Sequence, residues 1–192
     1  GRYPNILDDE IVGKQATELF IDAKKMLEKI ISEKWLTAKG CFGIFRANSI
    51  EDDIEIFDSD LRKNSIHKFF TLRQQSKKGG SAPNIALADF IAPKETNIDD
   101  YIGTFCVSTG FGCDEKAKLF EDMNDDYNSI MIKALADRLA EAFAEYLHKE
   151  IRTKHWGYSK NEQLNNESLI REKYIGIRPA PGYPSCPDHL EK

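Results

Sequence analysis

Apolar residues recur at helical spacing in two long stretches of the chain. Residues 11–35 form a predicted helix, with apolar side chains on one face and lysines and glutamates on the other. The acidic run Asp8, Asp9 and Glu10 suits the positive end of this helix. Residues 120–153 form the longest helical pattern, with the doublet Asp125-Asp126 as a candidate break. The first apolar stripe consists of Val12, Ala16, Leu19, Phe20, Ala23, Leu27, Ile30 and Ile31, and the second of Ile130, Ala134, Leu135, Leu139, Ala142, Phe143, Tyr146 and Leu147.

Between these helices, short runs of apolar and β-branched residues predict strands. The pattern in residues 53–57 alternates with a period of two, as in a strand with one solvated face. Further strands are predicted at residues 41–46 and 101–107. Two mixed segments, 67–72 and 85–91, lie on either side of the glycine-containing loop 77–81, and part of each is expected to be strand. A short helix is predicted at residues 166–174. Because short strands with little helix between them favour antiparallel pairing, we expect an α+β fold. In it, an antiparallel sheet is flanked by helices, and one long helix leads to a proline-rich binding loop.

Composition narrows the classes of function. A length of 192 residues with 41% hydrophobic residues fits one sizeable domain, or one domain with an appended helical lobe. The net charge of −5 gives no basic footprint for nucleic acid, and no apolar run approaches the ~18 residues of a membrane span. The four cysteines, Cys41, Cys106, Cys113 and Cys186, have no metal-site spacing and are typical of reduced cytosolic thiols. We therefore expect a cytoplasmic protein that binds neither nucleic acid, membrane nor metal.

The most informative segment is residues 176–188, which contain four prolines, two glycines, one arginine and one tyrosine. Four prolines exclude a helix and predict an extended, turn-rich loop that is easily ordered. Arg178 offers a planar fork of donors for a carboxylate, and Tyr183 offers an aromatic face with a hydroxyl group. The loop therefore suits a polar ligand that carries a carboxylate and a ring. A proline-rich surface connector remains the alternative from composition alone.

Arg-x-x-x-Gly-Tyr-Pro followed by Ser-Cys-Pro-Asp resembles the signature of the S-adenosylmethionine-binding activation domain of cobalamin-dependent methionine synthase. Other blocks resemble the same family in the same order, so the resemblance covers nearly all of residues 1–192. These blocks are Tyr3-Pro4 with residues 6–13, then residues 52–56, 72–75, 87–93, 125–127 and 130–145.

The resemblance implies specific binding roles. Arg178 would bind the carboxylate of S-adenosylmethionine, and Ala180 and Gly182 would offer backbone groups to the adenine. Tyr183 would lie near the reacting methyl group, and Glu141 would lie near the cationic groups of the ligand. Each residue also has a simpler interpretation: Arg178 as a surface arginine paired with an acid such as Glu172, Tyr183 as a packing residue, and Glu141 with Glu145 as a solvated helix face. Cys186 is expected to be a small packed residue, and no catalytic residue is predicted.

In such enzymes, the activation domain supports reductive remethylation of cob(II)alamin to methylcobalamin, with S-adenosylmethionine as the methyl donor, in methionine biosynthesis. The resemblance implies two partners: the cobalamin-binding domain of the same polypeptide, and flavodoxin or another flavoprotein reductase. The isolated chain is expected to bind without turnover. Family residues that contact the cofactor also lie upstream of Gly1 and downstream of Lys192, so we expect a fragment of a longer polypeptide.

Two other functions remain open from the residues. One is an interaction module that docks a redox partner and has no small ligand. The other is a stand-alone methyltransferase, which a glycine-rich loop after a first strand would favour. No such loop is present in the sequence.

Overall fold

The computed structural model describes residues 3–183 and 186. The chain divides into two compact units, residues 1–41 with 106–149 and residues 42–105 with 150–192. The helices are α1 (Gly13–Ser32), α2 (Cys113–Asp122), α3 (Asp126–Glu150) and α4 (Asn166–Ile170), with a π-helical turn at Ile151–His155 and 3-10 turns at Asn5–Asp8, Leu87–Phe90 and Lys94–Thr96. The strands are β1 (Thr37–Ile50), β2 (Asp53–Phe57), β3 (Ser65–Phe70) and β4 (Asp100–Phe111).

The four strands form one sheet in the order β3-β2-β1-β4. In the antiparallel pairing of β1 with β2, Ala47 lies opposite Ile56, and β2 pairs antiparallel with β3 with Ile54 opposite Phe69. The predicted α+β class with an antiparallel sheet is confirmed. Strands β1 and β4 are longer than the predicted 41–46 and 101–107, whereas β2 has the predicted bounds.

The first unit has its core between α1, α2 and α3. Met26 and Ile30 of α1 pack with Ala117 of α2 and with Ile132 and Ala136 of α3, all of them buried. The helix α1 starts as its acidic flank predicts, because the Asp9 carboxylate accepts hydrogen bonds from the amides of Ile11 and Val12. These hydrogen bonds, from Val12 first, lower the pKa of Asp9.

Both predicted apolar stripes were partly wrong. In α1, Leu19, Phe20 and Ile31 are exposed, and the buried Met26 lay outside the predicted stripe. In α3, Ile130 and Tyr146 are exposed, while the buried Ile132 and Ala136 lay outside it. The reason is that apolar spacing alone does not show which side of a helix its neighbours cover, so the packed face includes positions beside each stripe and leaves some positions within it exposed. Leu147 is buried as predicted.

The break in the long helical stretch is confirmed and lies between α2 and α3. Asn124 has a left-handed backbone with φ 57°, and Asp125 caps the next helix by accepting a hydrogen bond from the amide of Asn128. Helix α2 begins at Cys113, earlier than the predicted residue 120, because the acidic residues Asp114 and Glu115 in its first turn weaken the apolar pattern there.

The second unit has its core on the sheet. Ala47, Ile54 and Ile56 pack with Ala88 and Ile91. Residues 65–70 form β3, so strand in the first mixed segment is confirmed, but the prediction of strand in 85–91 was wrong. The 3-10 turn Leu87–Phe90 occupies that segment because the Asp89 carboxylate accepts a hydrogen bond from the amide of Ala86, which tightens the backbone.

After α3 the chain makes a wider helical turn and then reaches the proline-rich loop. The amide of Trp156 donates to the carbonyl of Ile151 at 2.9 Å, five residues back. Helix α4 is capped by the Asn165 side chain, which accepts from the Ser168 amide at 2.9 Å. It ends at Ile170 rather than at the predicted residue 174, because Glu172 has a left-handed φ of 53° that a continuing helix does not permit.

Candidate functional site

Among its described residues, the proline-rich loop is closed by backbone hydrogen bonds that join Ala180, Gly182, Tyr183 and Cys186. The amide of Tyr183 donates to the carbonyl of Ala180 at 3.2 Å, and the amide of Gly182 donates to the carbonyl of Cys186 at 2.7 Å. The amide of Cys186 donates to the carbonyl of Tyr183 at 2.8 Å. Gly182 has φ 91°, which a side chain would strain. The predicted extended, turn-rich loop is thus an ordered backbone turn.

The side chains of this loop differ in exposure. Tyr183 is 64% exposed, whereas Cys186 is 4% exposed, as expected of a small packed residue. Arg178 is half-buried and its Nε atom is buried. The Tyr183 ring is therefore exposed to solvent, whereas the Arg178 side chain is partly covered by the protein. Four of the five predicted binding residues lie in this one loop, with Arg178 just before the hydrogen-bonded turn that contains Ala180, Gly182 and Tyr183.

The fifth predicted residue, Glu141, lies on α3 in the first unit. Its side chain is 67% exposed, and its Oε2 atom lies 3.0 Å from Nη1 of Arg138. Glu145, one helical turn further on, is half-buried. The contacts of Glu141 are thus those of a solvated helix face, and its binding role stays a prediction from the resemblance.

The start of the loop is held by an aromatic pair. The Tyr158 hydroxyl donates to the carbonyl of Ile175 at 3.3 Å, and the Tyr158 ring packs edge-on against Trp156 with centroids 5.3 Å apart. Trp156 in turn covers Gly103 of β4, where an added Cβ would lie 3.1 Å from the Trp156 ring. Gly176 has φ 93°, and an added Cβ there would lie 2.9 Å from the Tyr158 hydroxyl. Burial raises the pKa of Tyr158, which keeps this donor protonated.

A buried ion pair supports the same segment. Arg152 is 0% exposed and Glu162 4%, and Nε and Nη2 of the arginine donate to the two carboxylate oxygens at 2.9 and 2.7 Å. The Arg152 guanidinium also lies over the Tyr174 ring, 4.2 Å from its centroid. Sequence reasoning missed these three residues, because a pair ten positions apart across a loop has no periodic signal and its burial depends on tertiary packing.

Each unit carries a groove. In the second unit, a groove of about 410 Å³ is lined by residues 158–164 and by Lys173, Tyr174 and Ile175, directly before the loop. In the first unit, a largely apolar groove of about 440 Å³ lies among α1, α3 and the strand ends. Ala142, the neighbour of Glu141, lines this apolar groove.

The structure gives the acidic doublets structural roles. Asp52 pairs with Arg73 and Asp53 with Lys68, while Asp125 caps α3. Among residues 3–183 and 186, no group of three His, Cys, Asp or Glu side chains is arranged to hold a metal ion.

The helices in the described part of the chain include none that is both long and apolar enough to cross a membrane.

Two comparisons with known proteins identify the family. The sequence model of the vitamin B12 dependent methionine synthase activation domain matches residues 1–192. A crystal structure described as the MetH reactivation domain bound to AdoHcy is 56% identical in sequence, with a TM-score of 0.89. The similarity covers 100% of this chain and 58% of that chain, so this chain spans well under two thirds of that solved chain. The chain therefore belongs to the family of vitamin B12 dependent methionine synthase activation domains.

Proposed function

We propose that this chain binds S-adenosylmethionine on the loop of residues 176–186 and presents its methyl group for the repair of oxidised cobalamin. The supporting observation is the ordered loop that carries Arg178, Ala180, Gly182 and Tyr183 in a domain 56% identical to one solved with AdoHcy. AdoHcy is the product that remains when S-adenosylmethionine loses its methyl group. The two molecules differ only in that methyl group and in the positive charge on sulfur, so a site that binds one has the shape and polar groups to bind the other.

The loop residues fit the functional groups of this ligand. Arg178 has a planar fork of donors that matches a carboxylate with two parallel hydrogen bonds, a geometry that lysine lacks. Its half-buried position reduces the competition from water for these bonds. The exposed Tyr183 ring provides a face on which a planar or cationic group can rest.

The backbone geometry narrows how the adenine can be bound. The Gly182 amide already donates to the Cys186 carbonyl, and the Ala180 carbonyl already accepts from the Tyr183 amide. Pro181 has no amide hydrogen. No backbone hydrogen bond among the described residues engages the Gly182 carbonyl, the Ala180 amide or the second lone pair of the Ala180 carbonyl, so these groups can meet the exocyclic amine and ring nitrogens of adenine.

When bound, S-adenosylmethionine would supply an electrophilic methyl group on a sulfonium, and the neutral thioether AdoHcy would remain as the leaving group. Because the sulfonium is already activated, the chain would need no general base. The residues of this chain then have three tasks: to bind the ligand, to orient its methyl group, and to keep that group open to an approaching cofactor domain. A site on an exposed turn suits the third task. Glu141 would add a negative charge that favours the sulfonium and ammonium groups.

The whole enzyme contributes the remaining components of this proposal. The cobalamin would be held by another domain of the same polypeptide, and flavodoxin or another flavoprotein reductase would supply the electron. The chain itself would bind without turnover. Its cysteines are free thiols, which suits the reducing cytoplasm.

Calorimetric titration of S-adenosylmethionine into the chain tests the proposal. We expect the wild-type chain to bind and Arg178→Ala to bind at least tenfold more weakly, which corresponds to about 1.4 kcal/mol for the lost charged hydrogen bonds. Arg171→Ala is the matched control, because Arg171 is an exposed arginine of the same unit whose partner is Glu167. The control is expected to bind like the wild type.

Binding that survives Arg178→Ala would contradict the site on this loop. Absence of binding by the wild-type chain, combined with capture of a flavoprotein reductase, would favour the interaction module instead. The net charge of −5 is the observation that keeps this second function in consideration, because it suits a partner with a basic surface.

A further inference from the structure

The buried pair of Arg152 and Glu162 lies where stability alone does not require it. Two charges lose their hydration on burial, and well-packed apolar residues of similar volume give comparable or greater stability. Arg152 is 0% exposed and lies in the π-helical turn Ile151–His155, a conformation that is rare and is found frequently at functional sites. Both features point to a role in fixing one conformation.

The conformation that this pair fixes is that of the segment leading to the binding loop. The Arg152 guanidinium holds Glu162 on one side and the Tyr174 ring, 9% exposed, on the other. The Arg152 carbonyl accepts a hydrogen bond from the Ser159 amide at 2.9 Å. A planar guanidinium can bind a carboxylate at its edge and an aromatic ring on its face at once, so Arg152 fixes the position of two separate parts of the chain.

Tyr174 lies four residues before Arg178, so its anchor limits where that arginine can go. The far side of the loop is closed by the hydrogen bonds among Ala180, Gly182, Tyr183 and Cys186. Residues 175–179 lie between these two anchors, and both of their ends are therefore fixed. If the near anchor is lost, ligand binding has to order them, at a cost of about tenfold in affinity for each residue ordered.

We propose that Arg152, through its contacts with Glu162 and Tyr174, is a positioning residue for the binding loop. The inference deepens the proposed function and rests on it for the identity of the ligand. Its mechanical part, the ordering of the loop, is independent of any ligand and can be measured separately.

The test replaces the ion pair with apolar residues in the double variant Arg152→Met with Glu162→Leu, which removes both charges of the pair together. Hydrogen exchange is measured in the wild-type chain and in the variant at the Gly182, Tyr183 and Cys186 amides, all hydrogen-bonded in the structure. We expect exchange there to be at least tenfold faster in the variant, with unchanged exchange in β2. In titrations with S-adenosylmethionine, we expect Kd to rise at least tenfold.

Two further variants separate positioning from charge and from stability. Arg152→Lys keeps the positive charge but lacks the planar fork of donors. We expect this variant to show fast loop exchange and a raised Kd, as the double variant does. Ile54→Ala creates a cavity in the same unit at a residue that is 0% exposed, away from the loop. It is expected to lower the thermal midpoint without changing Kd or loop exchange at a temperature well below unfolding.

The inference would be overturned if the folded double variant kept slow loop exchange. It would also be overturned if Arg152→Lys showed the same loop exchange and Kd as the wild-type chain. If the loop exchanges faster in the double variant while the wild-type chain does not bind S-adenosylmethionine, the inference stands and the proposed ligand is wrong. If the loop is unaffected and the wild-type chain binds, the proposed function stands and Arg152 has no positioning role.

Discussion

Replacing Gly176 with alanine is expected to destabilise the second unit by about 2 kcal/mol. Gly176 has φ 93°, and an L-residue in a left-handed conformation costs about 1 kcal/mol more than glycine. The new Cβ would lie 2.9 Å from the Tyr158 hydroxyl, which must move away. That movement breaks the hydrogen bond to the Ile175 carbonyl, for a further loss of up to about 1 kcal/mol.

Urea unfolding measures this effect through the fluorescence of Trp156. Trp156 lies beside Tyr158, with ring centroids 5.3 Å apart, and reports on the second unit when Trp35 is replaced by phenylalanine. Gly79→Ala is the matched control, because no atom lies within 4 Å of its added Cβ. Its free energy of unfolding is expected to stay within about 0.5 kcal/mol of the wild type.

A double-mutant cycle tests the stated cause. Tyr158→Phe alone removes the hydroxyl and costs up to about 1 kcal/mol. Combined with Gly176→Ala it is expected to cost about 2 kcal/mol rather than about 3, because the hydrogen bond is lost only once and the close contact disappears. Strict additivity of the two substitutions, or a Gly176→Ala variant as stable as Gly79→Ala, would refute this account of the turn.

Two other predictions concern charge. The Arg73 guanidinium donates to both oxygens of Asp89 at 2.7 Å, and this contact, assisted by the Ala86 amide, lowers the pKa of Asp89. Because the Asp89 carboxylate takes up a proton at a higher pH in the unfolded chain than in the folded one, its contribution to stability is complete above about pH 5 and is lost as pH falls through the lowered pKa. Asp89→Asn should therefore reduce the loss of unfolding free energy between pH 6 and pH 2, measured by urea unfolding. An unchanged pH dependence would contradict the pairing of Asp89 with Arg73. Glu141→Gln should weaken binding of S-adenosylmethionine about fivefold, the effect of one unit charge at contact distance in water. The same substitution should weaken the binding of AdoHcy less, because AdoHcy lacks the sulfonium charge. Glu28→Gln, at an exposed position on α1, is the control in the same calorimetric titrations. Equal losses of affinity for both ligands would argue against a role for Glu141 at the sulfonium.

The sequence predicted the elements whose signals are local. The alternation in residues 53–57 defined β2, the acidic residues before α1 were followed by a cap from Asp9, and Asp125 began α3. The four prolines predicted an ordered, turn-rich loop, and the resemblance placed four of the five proposed binding residues on it. Each of these signals depends on neighbouring residues alone.

The features that the sequence did not reveal depend on tertiary contacts. Nothing local distinguishes Ile30, buried, from Leu19, exposed, because both belong to the predicted apolar stripe. Residues 85–91 have strand propensity, but a 3-10 turn forms there because the Asp89 carboxylate accepts a hydrogen bond from the Ala86 amide. The support of the loop by Arg152 joins residues up to 22 positions apart through burial, which a periodic pattern cannot encode.

The boundaries between the two units have a consequence for shorter gene fragments. Domains that evolve as separate modules usually meet in flexible linkers, where a chain can be cut or joined without loss of structure. Here the chain passes from one unit to the other within β1, within β4 and at the end of α3. A fragment cut at any of these points would end inside a strand or at the end of a helix and would lack a sequence-distant part of its own unit. Gene fragments that end at these points are therefore expected to give products without a complete core.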